Sequence, residues 1–327
     1  MKLFLIRFSM QKCLCIACFF LLVSQFVHSG GAAVPEKKFV ALANNETYAY
    51  LEQGEGETVL LLHGNLSSSL HFLPLFSRMK KVRLVAPDMR GFGDSTYNAH
   101  FSNLSELAED VKLFAGTLGI SRAHVIGWST GGGVALELAA KYPDFVQSLF
   151  IIEGIGYRGF PILKYNPDGT QVPYTSREEL GVFPGVKSIV TALEAQSPSL
   201  MNLIWNSSIY TGKKPPKKDN NLYIAESLKQ RNVLDTYWAL VTFNMSNEDN
   251  GYGMGSGTIG AIRCPVTFTC GELDKVIPPA IIRENAAAIS GSKLLEYKKC
   301  GHSPMVDCPD RLAADIAAHM AMARHGN

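Results

Sequence analysis

Short apolar runs alternate along most of the chain with segments of helical periodicity. Six of these runs have the length and composition of buried β-strands, and they span residues 57–64, 82–88, 123–129, 146–153, 264–271 and 293–300. Most of them are separated by stretches in which apolar residues recur at the 3.6-residue spacing of a helix. Continuous apolar strands that alternate with helices predict an α/β fold, in which a mostly parallel central sheet is covered by helices on both faces.

Residues 154–257 interrupt this alternation. They contain Gly- and Pro-rich turns, two helical stretches near 187–205 and 220–243, and a Gly-rich return to the sheet at 250–257. We therefore predict a helical cap at 154–257, inserted between a first core part at 40–153 and a second core part at 258–327. Four aromatic residues are candidates for substrate binding, although packing of the cap onto the core is an equally good role for each: Trp128, Trp205, Tyr210 and Phe243.

The N-terminus has the pattern of a secretory signal. Three basic residues precede a mainly apolar run at Cys13–Val27, whose uninterrupted part is shorter than the roughly 20 residues that span a bilayer. Small residues follow, which predicts a signal peptide at 1–29 with cleavage after Ser29. The sequence thus favours a secreted or periplasmic protein without a stable membrane span after cleavage. A retained anchor, or a shorter signal that starts at Met10, is the alternative.

Composition limits the classes of partner. The chain has 327 residues, 46% of them hydrophobic, and a net charge of +2. The signal carries three of the positive charges, so the remaining chain is near 2 − 3 = −1. This balance predicts no nucleic-acid partner, and we expect a small-molecule substrate with no cofactor and no metal ion. The oligomeric state is not predicted by any of these features.

Gly127–Gly131 forms a G-x-S-x-G motif, and its setting is informative. A short apolar strand at 123–126 precedes Ser129, and a helix-forming run at 134–140 follows it. A serine at the apex of a sharp strand-to-helix turn is exposed for nucleophilic attack. Small neighbours at Gly127 and Gly131 allow the strand and the helix to pack closely around such a strained turn.

Candidates for an acid and a base follow in chain order. Asp274 comes after the strand at 264–271, and His302 comes after the strand at 293–300. The serine, the acid and the histidine therefore all lie at carboxyl ends of predicted strands, where open α/β sheets place their sites. Glu153 is the alternative acid and His63 the alternative base.

The strand near residue 60 ends in His63-Gly64-Asn65. A backbone N–H from such a loop, together with the N–H that follows the nucleophile, can hold the oxyanion of a tetrahedral intermediate. We therefore predict Asn65 and Thr130 as the two donors of an oxyanion hole.

These motifs resemble the α/β-hydrolase fold from about residue 40 to the end of the chain, and Asp88–Ser95 resembles the D-x-R-G-x-G-x-S segment of that family. The resemblance implies a catalytic triad of Ser129, Asp274 and His302. It also implies structural roles for Asp88 and Arg90, which would brace loops near the site.

A finer resemblance is to bacterial intracellular-type short-chain polyhydroxyalkanoate depolymerases. It rests on residues 127–129, 204–206, 209–211, 230–233, 239–244 and 300–304. Together the two resemblances imply a serine hydrolase that cleaves short-chain acyl or hydroxyacyl esters, including polyhydroxyalkanoate oligomers. The same triad also serves acyltransferases and C–C bond hydrolases, and a non-catalytic member of the fold that binds a ligand is a third class.

Four cysteines lie beyond the signal, all in the last quarter of the chain. A bond between Cys264 and Cys270 is excluded because six residues of strand separate them by about 20 Å. Cys300 and Cys308 bracket His302, and a bridge between them would fix the histidine. A Cys270–Cys300 bridge and four free thiols are the alternatives.

Overall fold

The computed structural model describes residues 35–325, and the centre of this region is an eight-stranded sheet. The signal predicted at 1–29 lies outside the described residues. The strands of this sheet are β1 (Lys38–Ala41), β2 (Thr47–Gln53), β3 (Thr58–Leu62), β4 (Arg83–Pro87), β5 (Ala123–Trp128), β6 (Val146–Ile152), β9 (Val266–Gly271) and β10 (Lys293–Tyr297). A separate two-stranded hairpin is formed by β7 (Lys164–Tyr165) and β8 (Gln171–Val172).

The strand order in the large sheet is β1-β2-β4-β3-β5-β6-β9-β10. All pairs from β4 to β10 are parallel, while β2 runs antiparallel to both β1 and β4. The six predicted strands are present, and the mostly parallel α/β sheet is confirmed. The antiparallel strands β1 and β2 are additional, and they extend the sheet at one edge.

Helices cover both faces of the sheet. They are α1 (Leu73–Phe76), α2 (Leu104–Thr117), α3 (Thr130–Lys141), α4 (Arg177–Leu180), α5 (Pro184–Glu194), α6 (Pro198–Ser208), α7 (Lys217–Ser227), α8 (Val233–Thr242), α9 (Pro279–Ala288), α10 (Pro304–Asp307) and α11 (Pro309–His325). Among residues 35–325, none of these helices combines the length and the apolar character needed to cross a bilayer.

The central strands contribute side chains to two cores, because successive side chains of a strand point to opposite faces. On β5, Val125 packs into the core that contains α2, α3 and α9. Its neighbours Ile126 and Trp128 pack into the core that contains α1 and α11. Both faces of the central strands are therefore buried, which explains why these strands have continuous apolar sequences.

The connection from β6 to β9 contains the hairpin and five helices, α4 to α8, although β6 and β9 are neighbours in the sheet. Its buried apolar side chains are divided among the core on the Trp128 face, the core on the opposite face and a small cluster of the insertion's own residues. From Glu36 onward the chain forms one compact unit, which includes this insertion. The division of the chain at 154 and 257 remains a prediction.

The first helical stretch predicted in the insertion is split into α5 and α6. Gln196 has a φ of 44°, and Ser197 then caps α6 by accepting a hydrogen bond from the N–H of Leu200. Pro198 occupies the first turn of α6, where its missing N–H is tolerated. The break therefore has a local cause, which the apolar periodicity alone does not reveal.

Candidate active site

Ser129 forms the whole connection between β5 and α3. Its φ of 55° and ψ of −119° lie in a region that non-glycine residues rarely occupy, at a cost of roughly 1–3 kcal/mol. The backbone holds this conformation, since the N–H of Ser129 donates to the carbonyl of Ile152 at 2.9 Å. The serine is thus presented at the carboxyl edge of the sheet by a strained turn.

Two glycines make this turn possible. A Cβ on Gly127 would lie 2.4 Å from the carbonyl oxygen of Gly131, and a Cβ on Gly131 would lie 2.1 Å from the carbonyl oxygen of Leu62. Both distances are far below normal contact, and both obstacles are backbone atoms. The motif therefore depends on its glycines because β3, β5 and α3 approach one another closely at this point.

The loop after β3 lies directly against the serine. A Cβ on Gly64 would come within 2.9 Å of Ser129 Cβ. The ring of His63 is fully buried and supports this loop, with Nε2 accepting from the N–H of Met89 at 3.0 Å and Nδ1 lying 2.8 Å from the carbonyl of Gly64. Burial also lowers the pKa of His63, which favours its neutral form. Both ring nitrogens of His63 therefore bind backbone groups, as expected of a structural histidine.

The two N–H groups predicted for the oxyanion hole flank this junction. Within residues 35–325, neither the N–H of Asn65 nor that of Thr130 donates to any acceptor. The side chain of Asn65 is held separately, since its Oδ1 accepts from Nε2 of Gln230 at 2.8 Å. Both backbone N–H groups therefore lack an acceptor in this part of the chain, and their role as an oxyanion hole remains a prediction.

Gln230 supports the loop after β3, a contact that the sequence did not indicate. It lies between α7 and α8, is only 5% exposed, and accepts from the N–H of Leu66 at 3.0 Å through Oε1. Its Nε2 donates to Asn65 and to Oδ1 of Asn232 at 2.8 Å each. The insertion thereby fixes the loop that carries the N–H of Asn65. Because 164 residues separate Gln230 from Leu66, no local pattern could have revealed this contact.

Asp274 and His302 are brought together at the same edge of the sheet. Nδ1 of His302 lies 2.8 Å from Oδ2 of Asp274, and both side chains are almost completely buried. The second oxygen of Asp274 accepts from the N–H groups of Val276 and Ile277 at 2.8 and 3.0 Å. This arrangement places the proton of the neutral imidazole on Nδ1 and leaves Nε2 free to accept a proton.

The histidine loop is attached to the serine turn by a side chain. Nε1 of Trp128 donates to the backbone carbonyl of His302 at 2.7 Å, and the two rings lie 5.9 Å apart. Trp128 directly precedes Ser129 in the chain. The buried indole therefore couples the position of His302 to that of Ser129.

Glu153, the alternative acid, has different partners. Its carboxylate accepts from the hydroxyl of Thr269 at 3.0 Å and from the N–H of Gly271 at 2.7 Å. Burial, reinforced by the negative charge of Asp274, raises the pKa of Glu153 well above its ordinary value. Glu153 therefore forms part of the support beneath the Asp274 loop, whereas Asp274 is the carboxylate that binds His302.

Three of the four aromatic residues proposed to bind substrate share one buried cluster. The Trp205 ring lies 6.3 Å from that of Trp128 and 5.1 Å from those of Tyr210 and His71. Phe243 is not in this cluster, because it packs into the core on the opposite face of the sheet. Trp128, Trp205, Tyr210 and His71 thus form one aromatic cluster. Its member Trp128 is the residue that binds the carbonyl of His302.

A segment of the insertion also contacts the acid loop and the histidine loop. The hydroxyl of Thr211 donates to the carbonyl of Leu273 at 2.6 Å. The carboxylate of Asp307 accepts from the N–H of Lys213 at 2.5 Å and from that of Gly301 at 2.6 Å. One short segment therefore fixes the backbone next to Asp274 and next to His302.

Asp88 and Arg90 have the bracing contacts that the sequence predicts. Asp88 accepts from the N–H of Ser69 at 2.8 Å, and Arg90 forms a two-pronged ion pair with Asp110 at 2.7 and 2.6 Å.

One group of carboxylates has the spacing of a metal site within the described part of the chain: Asp88, Asp94 and Glu226. Nζ of Lys37 lies 2.6 to 2.8 Å from an oxygen of each of the three. Lys229 also pairs with Asp94 and Glu226, so two lysines supply positive charge to these three carboxylates.

Comparisons with known proteins agree with this architecture. The chain is 23% identical over 296 residues to Lipase 1 of Psychrobacter immobilis, and this alignment covers 86% of this chain and 83% of the lipase. It is 26% identical over 283 residues to 2-hydroxymuconate semialdehyde hydrolase of Pseudomonas putida, covering 83% and 90% of the two chains. Among solved structures, an esterase from Exiguobacterium antarcticum superposes with a TM-score of 0.69 at 18% identity, covering 88% of this chain and all of the esterase. The sequence profile of the alpha/beta hydrolase fold family matches residues 57–309, and the chain therefore belongs to that family.

Proposed function

We propose that the protein is a serine hydrolase that cleaves carboxylic esters through an acyl-enzyme on Ser129. The observation that carries this proposal is the 2.8 Å contact between Asp274 and His302, in a loop that Trp128 attaches to the serine turn. A buried acid–histidine pair, on a loop that is tied to the turn of a strained serine, supplies the groups that activate a hydroxyl in a serine hydrolase.

In the proposed mechanism, Ser129 attacks the ester carbonyl carbon while Nε2 of His302 accepts the proton of its hydroxyl. Asp274 holds the imidazole in the required tautomer and stabilises its charged form. The N–H groups of Asn65 and Thr130 bind the developing oxyanion, each contributing roughly 3 kcal/mol as in other enzymes. The imidazolium then protonates the leaving alcohol, and a water molecule, activated by the same histidine, cleaves the acyl-enzyme.

The names of the relatives support an ester as the substrate, since one is a lipase and a structurally similar protein is an esterase. The sequence resemblance to short-chain polyhydroxyalkanoate depolymerases favours a short hydroxyacyl unit as the acyl group of the ester. We place this acyl group against the aromatic cluster.

Three polar atoms of the aromatic cluster support a hydroxylated acyl group. Nε1 of Trp205, the hydroxyl of Tyr210 and Nε2 of His71 are buried and have no hydrogen-bond partner among the described residues. Buried polar groups are normally paired, and an unpaired one costs roughly 1–3 kcal/mol. A plain alkyl chain at this position would leave these groups unpaired, whereas a hydroxyacyl chain would bring an oxygen that accepts from them.

The test is turnover of p-nitrophenyl acetate, butyrate, 3-hydroxybutyrate and octanoate by the wild-type protein and by Ser129→Ala. The control is Ser188→Ala, which changes an exposed serine on α5. We expect the wild-type protein to hydrolyse the short esters faster than octanoate, and 3-hydroxybutyrate fastest of all. This turnover should vanish in Ser129→Ala and persist in Ser188→Ala. Turnover that survives in Ser129→Ala contradicts the mechanism, and a folded wild-type protein without activity on any ester contradicts the proposed function.

A second candidate is hydrolysis of a C–C bond in a compound related to 2-hydroxymuconate semialdehyde. It is favoured by the relative of that name, which matches along 83% of the chain. The same three catalytic groups would be used. Loss of the absorbance of 2-hydroxymuconate semialdehyde in the presence of the wild-type protein, without turnover of the esters, would select this function instead.

A further inference from the structure

The loop that carries His302 is bracketed by two cysteines. Cys300 follows β10 and is buried, while Cys308 follows α10 and is half-buried. Their Sγ atoms are only 2.8 Å apart. The covalent S–S distance is about 2.05 Å, so a small movement of two side chains is enough to join them.

The other two cysteines of residues 35–325, Cys264 and Cys270, lie elsewhere. Cys270 packs into the core on the opposite face of the sheet from Cys300, and Cys264 packs against the same core as Cys270. The sheet therefore separates Cys270 from Cys300, which disfavours the competing bridge. Among the four described cysteines, the pair at 300 and 308 is the one that the fold brings together.

The backbone around this pair is fixed by contacts that both loops share. The carbonyl of Cys300 accepts from the N–H of Leu273 at 2.8 Å, next to Asp274. The N–H of Gly301 donates to Asp307, and Trp128 holds the carbonyl of His302. A cross-link at this point therefore closes a loop whose interior contains His302 and whose base contacts the acid loop.

We propose that Cys300 and Cys308 form an intramolecular disulfide that cross-links the two ends of the loop containing His302. The oxidant is a small or protein disulfide, for which oxidised glutathione is the probe. One cysteine thiolate attacks the glutathione disulfide and releases one glutathione thiolate. The second cysteine thiolate then attacks the sulfur of this mixed disulfide and releases the other. Two protein thiols are thereby oxidised to one disulfide, and one oxidised glutathione is reduced to two thiols.

The electrostatics of the pair distinguish the two thiols, because the hydrogen bond between them raises the pKa of Cys308 and makes Cys300 the first nucleophile. A hydrogen bond from the thiol of Cys308 lowers the pKa of Cys300, so that the thiolate forms at a lower pH than in an isolated cysteine. The partial exposure of Cys308 gives a disulfide reagent access to the pair.

Trypsin provides a direct test, because one peptide, Cys300–Arg311, contains both cysteines of the pair, and another, Cys264–Lys275, contains Cys264 and Cys270. The full-length protein is incubated with oxidised or reduced glutathione, denatured, treated with N-ethylmaleimide and digested. After oxidation we expect Cys300–Arg311 to lose two hydrogen atoms and to take up no maleimide. The internal control, Cys264–Lys275, takes up two maleimides under both conditions.

Thermal unfolding gives an independent measurement. Closing a loop of this length restricts the unfolded chain, and we expect oxidation to raise the Tm by roughly 4 °C. Cys308→Ser removes this increment, and Cys264→Ser retains it. Two maleimides on Cys300–Arg311 after oxidation, or a link between the two peptides, overturns the proposal. Neither measurement requires turnover, so the disulfide and the proposed ester hydrolysis are tested independently of each other.

Discussion

The choice of the catalytic acid gives the sharpest prediction, because two buried carboxyl groups lie close to the site. Replacing Asp274 by Asn keeps the shape of the side chain and one oxygen acceptor for the N–H groups of Val276 and Ile277. It replaces the oxygen that lies 2.8 Å from Nδ1 of His302 with an amide N–H₂ donor. The imidazole must then present a bare Nδ1 to the amide and carry its proton on Nε2, where the base is needed.

The expected fall in kcat follows from the loss of the correct tautomer of His302 and of the negative charge that stabilises its imidazolium form. Such a change lowers kcat by about 10⁴-fold in a serine protease, which corresponds to roughly 5.4 kcal/mol of transition-state free energy. We expect a similar loss for Asp274→Asn, because the pair is almost completely buried and water cannot replace the carboxylate.

Glu153→Gln is the matched control, since it also exchanges a buried carboxyl for an amide. The raised pKa of Glu153, caused by burial and then by the charge of Asp274, favours its protonated form. A neutral acid and an amide both offer one carbonyl oxygen and a donor, so we expect kcat within about tenfold of the wild type.

The control also has a signature in stability. Because the folded-state pKa of Glu153 is raised, the protonated group favours the folded state, and this contribution is lost as the pH rises from about 4.5 towards the folded-state value. Gln cannot ionise, so the unfolding free energy of Glu153→Gln should fall less with rising pH.

The assay is single-turnover hydrolysis of p-nitrophenyl butyrate, together with urea unfolding at several pH values. Near wild-type kcat in Asp274→Asn, with a 10⁴-fold loss in Glu153→Gln, would refute the assignment of the acid.

Three further predictions concern the turn, a buried histidine and the aromatic cluster. Gly131→Ala places a Cβ 2.1 Å from the carbonyl oxygen of Leu62, so we expect the free energy of unfolding in urea to fall by at least about 3 kcal/mol. The control, Gly116→Ala, lies in open space on α2, and its free energy of unfolding should rise by about 0.5–1 kcal/mol. Burial lowers the pKa of His319 to about 4, so its neutral form favours folding, and the contribution of this residue to the unfolding free energy should fall by up to about 1.4 kcal/mol per unit as the pH drops from about 6.5 towards 4. His319→Asn should weaken this dependence, and an unchanged pH profile would refute it. Tyr210→Phe removes an unpaired hydroxyl, so it should leave the unfolding free energy within about 1 kcal/mol of the wild type while lowering kcat/KM for the 3-hydroxybutyrate ester roughly 3- to 10-fold relative to butyrate. An equal effect on both esters would show that this hydroxyl does not contact the acyl oxygen.

The parallel part of the fold could be predicted from the sequence because its information is local. A strand that is buried on both faces must be apolar throughout, and the serine turn must contain glycines at 127 and 131. β1 and β2 carry a weaker signal. β1 has only four residues, most of them exposed, as expected of a strand at the edge of a sheet.

The insertion was harder to predict because its residues act through distant partners. Its helical periodicity shows that a face is buried, but it does not identify what that face contacts. Phe243 and Trp205 both lie in the insertion, yet they pack on opposite faces of the sheet. The contacts of Gln230 with the loop after β3 and of Thr211 with the acid loop likewise depend on the closed tertiary structure.

The central claim is that Ser129 is the nucleophile, and covalent labelling tests it most directly. The protein is treated with a serine-reactive fluorophosphonate, and the intact mass and tryptic peptides are then measured. Ser129 is the only serine in the peptide Ala123–Lys141, so the adduct can be assigned without ambiguity. We predict a single adduct on this peptide, formed at a rate that falls sharply in Asp274→Asn and absent in Ser129→Ala. An adduct on another peptide, or ester turnover by a protein that the reagent does not label, would contradict the account.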